Sequence, residues 1–260
     1  MTAILRNETG QLQRSSFILL GVFALLSALY FSIFPSMGDD MDELVEAFPE
    51  AMLEFFGIDA LHTIEGFIAV ELYAFFWVVL LGIYFAYVSA GMVAGDVESR
   101  KMDLTLSNPV SRESVLAQKV AALWVPLAVL NVGVPVIVYV SALFIDESID
   151  PIALAMVHVL SVPYLLVCAG IGLVLSVAFE RVRTAQATAL GLVFILWLVE
   201  GVSNMDPDYE WIGYLTPSRY YDETAILVRE EYAFVDAAIL LAAFVVLLLI
   251  ATGIFIQRDI

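Results

Sequence analysis

Two histidines, one cysteine and one mixed-charge stretch hold most of the side chains that could do chemistry in this sequence. His62 has Asp59 and Glu65 near it, a grouping that reads either as metal capture or as a solvated surface. His158 stands alone in an apolar run, where an imidazole more often bonds a neighbouring helix than moves protons. Cys168 is the single cysteine, so the chain forms no internal disulfide and no thiolate cluster. No G-x-S-x-G elbow, no H-E-x-x-H pair and no phosphate-binding P-loop occurs. The chain carries no recognisable catalytic set and no device for holding a nucleotide.

The other concentration of polar groups is GDVESRKMDLTLSNPVSRESVLAQK, Gly95 to Lys119. Asp96, Glu98, Asp103 and Glu113 are mixed there with Arg100, Lys101, Arg112 and Lys119. Such mixed charge, with hydroxyls from Ser107 and Ser111, suits a protein partner better than lipid. A solvated loop with positive membrane anchors is the competing reading. The residue before a proline avoids helical geometry, so Asn108 is expected to end a first short helix. Pro109 can begin a second, with Ser111 and Ser114 as alternative caps. The stretch reads as short helix, turn, helix.

The chain that must position these groups has 260 residues and is 62% hydrophobic, with a mean hydropathy of +0.92. Soluble domains are about half apolar, so the excess points to lipid as solvent. Apolar runs fall at 16–36, 66–93, 115–145, 152–179, 184–203 and 235–256. They predict an all-α membrane protein with six transmembrane helices in one polytopic domain over 1–260. The first run is too long for a signal core and has no clear cleavage site after it, so it reads as a permanent span. The first fourteen residues read as a separate short amphipathic segment on the cytoplasmic surface.

Basic residues set the orientation. Arg6, Arg14, Arg100, Lys101, Arg112, Lys119, Arg181, Arg183 and Arg258 all fall on one side of a six-span topology. Only Arg219 and Arg229 fall on the other. Both termini and the Gly95–Lys119 stretch are therefore placed in the cytoplasm. The outer side is acidic: Asp39, Asp40, Asp42, Glu43, Glu46, Glu50, Glu54, Asp59 and Glu65 fill the first outer loop. Leu44, Phe48, Met52 and Phe55 recur there at helical spacing, broken by Pro49 and stopped by Gly57, which predicts a broken amphipathic helix on the outer leaflet. The third outer loop carries Tyr209, Trp211, Tyr214, Tyr220, Tyr221 and Tyr232, which favour the interface, and a short helix or partial re-entry is expected.

Net charge is −18 with two lysines, which excludes a basic nucleic-acid surface. It suits concentrated salt, where charge is screened, and so a halophilic source. Charged groups avoid the middle of the spans. Glu71, Glu200 and Asp236 lie near outer ends, and Lys119 lies near an inner end where it can snorkel. Asn131 is placed to bond across helices. Gly82, Ala86 and Ala90, and Ala187 with Gly191, make small-residue stripes that serve either intrachain packing or a subunit interface. Pro126, Pro135 and Pro163 are expected to kink their helices.

LTLSNPVSRESVLAQK resembles the segment between the second and third spans of type-2 ABC transporter permeases. There an acidic pair is followed by Gly-Thr, a leucine-rich turn, Ser-x-Pro-Val-Ser-Arg and a lysine. Asp96 and Glu98 match the acidic pair. Leu104, Leu106, Ser107, Pro109, Val110, Ser111, Arg112 and Lys119 match the rest. Arg100 and Lys101 replace the Gly-Thr, and Thr105 stands where leucine is usual. YLTPSRYYDETAIL, before the last span, is similar to the family's outer Pro-aromatic segment. The permease for copper-site maturation of nitrous oxide reductase is a branch of similar length with a similar SNPVSR stretch.

The resemblance implies a permease subunit of an ATP-driven exporter in a prokaryotic cell membrane, a halophilic archaeon on the charge reading. It implies a second permease copy, the same or different, and a separate P-loop ABC ATPase that holds ATP and Mg. No cofactor is expected in this chain. The implied coupling helix places Asp96, Glu98, Arg100, Lys101, Ser107, Pro109, Ser111 and Arg112 at the ATPase. Two other readings stay open: a membrane anchor or regulator of an ATPase without transport, and an ion-coupled carrier or intramembrane enzyme. The lack of a charge at midspan weighs against the last.

Overall fold

The computed structural model describes residues 2–37, 49–56, 58 and 60–258. Among these the chain is nearly all helix, with no strand. In chain order the helices are α1 Thr2–Met37, α2 Glu50–Phe56, α3 Ile64–Glu98, α4 Lys101–Leu106 and α5 Arg112–Phe144. There follow α6 Pro151–Ala178, α7 Val182–Asn204, α8 Glu210–Gly213, α9 Glu223–Val228 and α10 Phe234–Gln257. Six of them, α1, α3, α5, α6, α7 and α10, are long and apolar enough to cross a membrane, and they overlap the six apolar runs. The acidic outer residues Asp39 to Glu46, with Leu44, Phe48, Gly57 and Asp59, lie outside the described residues. Of the expected broken helix, α2 is described, starting just after Pro49.

Burial ranks the spans. In its most apolar stretch α6 is 72% buried and α3 61%, against 17% for α10 and 22% for α1. The pair α3 and α6 is therefore the axis around which the others pack. It meets backbone to backbone. A Cβ added to Gly172 would stand 2.0 Å from the carbonyl oxygen of Ala86. This closeness lets Ser176 Oγ accept from the N–H of Val93 at 2.9 Å and of Ala94 at 3.0 Å. Gly82 faces the Tyr164 hydroxyl across the same seam. The Gly82, Ala86, Ala90 stripe thus serves intrachain packing. The second stripe does not. Ala187 is exposed, and a Cβ on Gly191 would meet none of the described residues within 4 Å.

Three local features depart from the sequence reading. The first fourteen residues are not a separate segment, because α1 runs unbroken from Thr2. No proline or capping residue interrupts it there, and Leu12 is buried in the main core. Of the three prolines, Pro126 sits beside a break. Helix α5 is interrupted at Leu123, where proline lacks the N–H that the Ala122 carbonyl would need. Pro135 and Pro163 lie within uninterrupted helix. Finally, α3 winds as a π-helix over Ala69–Leu81, a wider turn that apolar periodicity does not reveal. Its Tyr73 and Trp77 are fully buried. Tyr73 Oη lies 2.9 Å from His158 Nε2, and Trp77 meets the imidazole edge-on at 4.5 Å. His158 therefore bonds a neighbouring helix, and Asn131 does likewise, its Oδ1 accepting from Ser161 Oγ at 3.1 Å.

Candidate functional site

The stretch after α3 folds as an elbow. Arg100 takes a left-handed backbone (φ 57°), which turns the chain sharply out of α3 into α4. Helix α4 stops at Leu106 rather than at Asn108. Ser107 Oγ and Asn108 Nδ2 both donate to the Leu104 carbonyl, at 2.8 and 2.9 Å, and draw it out of the helical pattern. Pro109 stays in the turn. Ser111 is the cap of α5, its hydroxyl accepting from the Ser114 N–H at 3.2 Å.

The elbow is rooted in its own small core. Met102 is fully buried among Val93, Val115, Leu116, Leu173 and Phe255. On the opposite side of α4, Leu104 is 71% exposed. Charged groups then tie the elbow to the inner ends of the spans. Lys119 Nζ lies 2.6 Å from Glu8 of α1 and 2.6 Å from Asp96 of α3, with its side chain 2% exposed. It does not snorkel; it is locked between two carboxylates. Arg112 Nη1 donates to the carbonyls of Phe255, at 2.9 Å, Ile256 and Arg258, and its guanidinium lies over the Phe255 ring. It satisfies carbonyls that the end of α10 leaves open. Arg258 in turn donates to Val177 and Phe179 at the end of α6. Glu98 Oε2 accepts from the Val182 N–H at 2.8 Å, capping α7.

At the outer end a cavity of about 370 Å³ opens between α2, α3, α7 and α9. Its apolar wall includes Trp197, Phe55 and Val78, and its polar wall Glu200, Arg219 and Glu223. Thr216 donates to Glu200 Oε2. Arg219 donates to Glu210 at 2.7 Å, stands 3.9 Å from Glu200 and covers the Tyr214 ring. Burial, with Asp222 adding to it, pushes the Glu223 carboxyl up to about 8. Among the described residues no three His, Cys, Asp or Glu side chains converge on a metal site.

A family model described as "ABC-2 family transporter protein" matches residues 2–260. The chain belongs to the ABC-2 transporter family. A search of the curated proteins returns no match. As an ABC-2 permease the chain is a multi-pass membrane subunit of a transporter rather than an enzyme, and the family works with ABC ATPase subunits.

In this ABC-2 permease the eight residues singled out from sequence divide into two groups. Arg100, Lys101, Ser107, Pro109 and Ser111 are exposed on the elbow. Asp96, Glu98 and Arg112 are engaged with Lys119, α7 and α10 of the same chain. Glu8 and Arg258 complete the inner network; Arg258 is marked in the sequence only as an orientation charge, and Glu8 not at all. Residues 8 and 119 share no local spacing, and only the fold brings them together.

Proposed function

We propose that this ABC-2 permease forms an export path with a second copy and is driven by separate P-loop ATPases docked on the α4 elbow. One observation carries the reading: the elbow presents Lys101, Leu104 and Ser107 outward while its roots reach five spans. Met102 reaches α3, α5, α6 and α10 through the inner core. Lys119 reaches α1, and Arg112 reaches α10. A push on α4 is therefore shared among the inner ends of the helices. ATP and Mg belong to the partner in this scheme. The uncovered face of α7, with Ala187 and Gly191, supports pairing with the second copy. The likeness to the nitrous-oxide-reductase-maturation branch lies in the elbow, so it bears on the ATPase rather than on the cargo. The acidic composition fits a halophilic source. The outer cavity favours a transport subunit over a bare anchor, since an anchor needs none.

The double variant Lys101→Glu/Leu104→Asp tests docking on exposed residues alone. The chain should keep its thermal midpoint, lose co-purification of the ATPase and lose permease-dependent ATP hydrolysis. Retention of both by the well-folded variant would sink the reading. Charge reversal at Glu98 or Arg112 is a poorer probe, because it strikes helix caps within the chain.

A further inference from the structure

We propose that the outer cavity binds an organic cation, with the positive group at Glu223 and an apolar body against Trp197. This names a cargo class for the exporter and to that extent rests on the transport reading; the binding itself does not.

The cavity, at about 370 Å³, falls in the range of small-molecule sites, roughly 300–1,000 Å³. Trp197 lines its apolar side. Phe55 meets that ring edge-on at 5.9 Å and Phe194 stacks on it at 5.9 Å, so the indole is held in place. An aromatic face of this kind attracts a cation. The charges on the polar side are unequal. Arg219 is matched by Glu210 and Glu200. Asp222 caps α9 by accepting from the Ala225 N–H at 2.7 Å, and its other oxygen lies 3.2 Å from Arg229.

Among the described residues Glu223 makes no ion pair, and its half-buried carboxyl accepts from its own backbone N–H. Ser218, also in the lining, has its Oγ buried with no hydrogen-bond partner among the described residues. The cavity thus has an unmatched acid, Glu223, and the indole of Trp197 in one lining. An anion would meet carboxylates from α7 and α9. A bare metal ion would lack ligands, since no three donor side chains converge among the described residues. A cation carrying apolar surface satisfies both walls. It also replaces the proton that burial favours on Glu223, so binding releases a proton and strengthens as pH rises toward about 8.

The test uses the full chain in lipid nanodiscs, without ATPase, and tritiated tetraphenylphosphonium as probe. Saturable binding is expected, about fiftyfold tighter near pH 8 than near pH 6. Neutral triphenylphosphine oxide, similar in shape, should compete poorly. Glu223→Gln and Trp197→Ala should each weaken binding about tenfold, and Glu223→Gln should also flatten the pH dependence. Glu180→Gln, at the inner end, should change nothing. No saturable binding, equal competition by the neutral oxide, or a flat pH series on the unaltered chain overturns the proposal, even should Glu223→Gln fail to fold. Loss of ATPase docking at the elbow leaves this result untouched, so the two readings fail separately.

Discussion

Lys119 shows how far a single side chain can be from its expected role. An ammonium near a span's inner end was expected to reach water, yet it is held by Glu8 and Asp96 from two other helices. Removing one member of such a buried set leaves uncompensated charge. Lys119→Met should cost about 3–5 kcal/mol, read as a lowered thermal midpoint in detergent. The triple variant Glu8→Gln/Asp96→Asn/Lys119→Met should recover most of that loss, and failure to recover would deny the network its role. Glu223 gives a pH signature. Its folded-state value is raised from 4.5 to about 8, so between these values the folded chain holds more proton than the unfolded one. Stability contributed by this site is present below 4.5 and is lost as pH rises to about 8. Glu223→Gln should remove that slope, and parallel pH–stability curves for variant and parent would refute it.

Helix seams carry the next level of organisation. Small residues recur on both α3 and α7, but the two stripes have different fates. On α3 the stripe meets Gly172 of α6 so closely that a methyl group would collide with the Ala86 backbone. Backbone cannot rotate aside as a side chain can. Gly172→Ala should therefore destabilise the chain by about 1–3 kcal/mol or more, measured by thermal unfolding. On α7 a Cβ added to Gly191 would meet none of the described residues within 4 Å. Gly191→Trp should leave the protomer folded and lower the assembly from two copies to one in a mass measurement; an unchanged mass would count against pairing through α7. The elbow shows why caps matter at this scale. Ser107 and Asn108 end α4 through the Leu104 carbonyl, Ser111 begins α5, and Pro109 is left in the turn.

For the whole molecule the charge distribution predicts both orientation and response to salt. Ser107→Cys, on the elbow, should react with an impermeant maleimide only from the cytoplasmic side, and Tyr214→Cys only from outside. Cys168 is buried and should stay silent. Labelling from the opposite sides would invert the topology. A net charge of −18 also strains a compact chain at low ionic strength. Raising salt from about 0.1 M to about 1 M shortens the screening length from about 10 Å to about 3 Å, so the thermal midpoint should rise.

By itself the sequence determined the six apolar helices, the mixed-charge elbow with its proline turn, and the acidic outer character. These are local properties: apolar run length, cap residues and charge on each side of a span are written in consecutive residues. It also marked Asp96, Glu98 and Arg112 as special, though not for the contacts they make. Tertiary structure decided that Arg112 would cap α10, that Glu98 would cap α7, and that Glu8 would meet Lys119. It decided the π winding around Tyr73 and Trp77, and it built the outer cavity from Phe55, Trp197 and Glu223 on three separate helices. Those partners are far apart along the chain, and in a membrane every span is similarly apolar. Hydropathy therefore says that helices cross, while close packing of glycine against backbone and pairing of buried charge choose which helices meet.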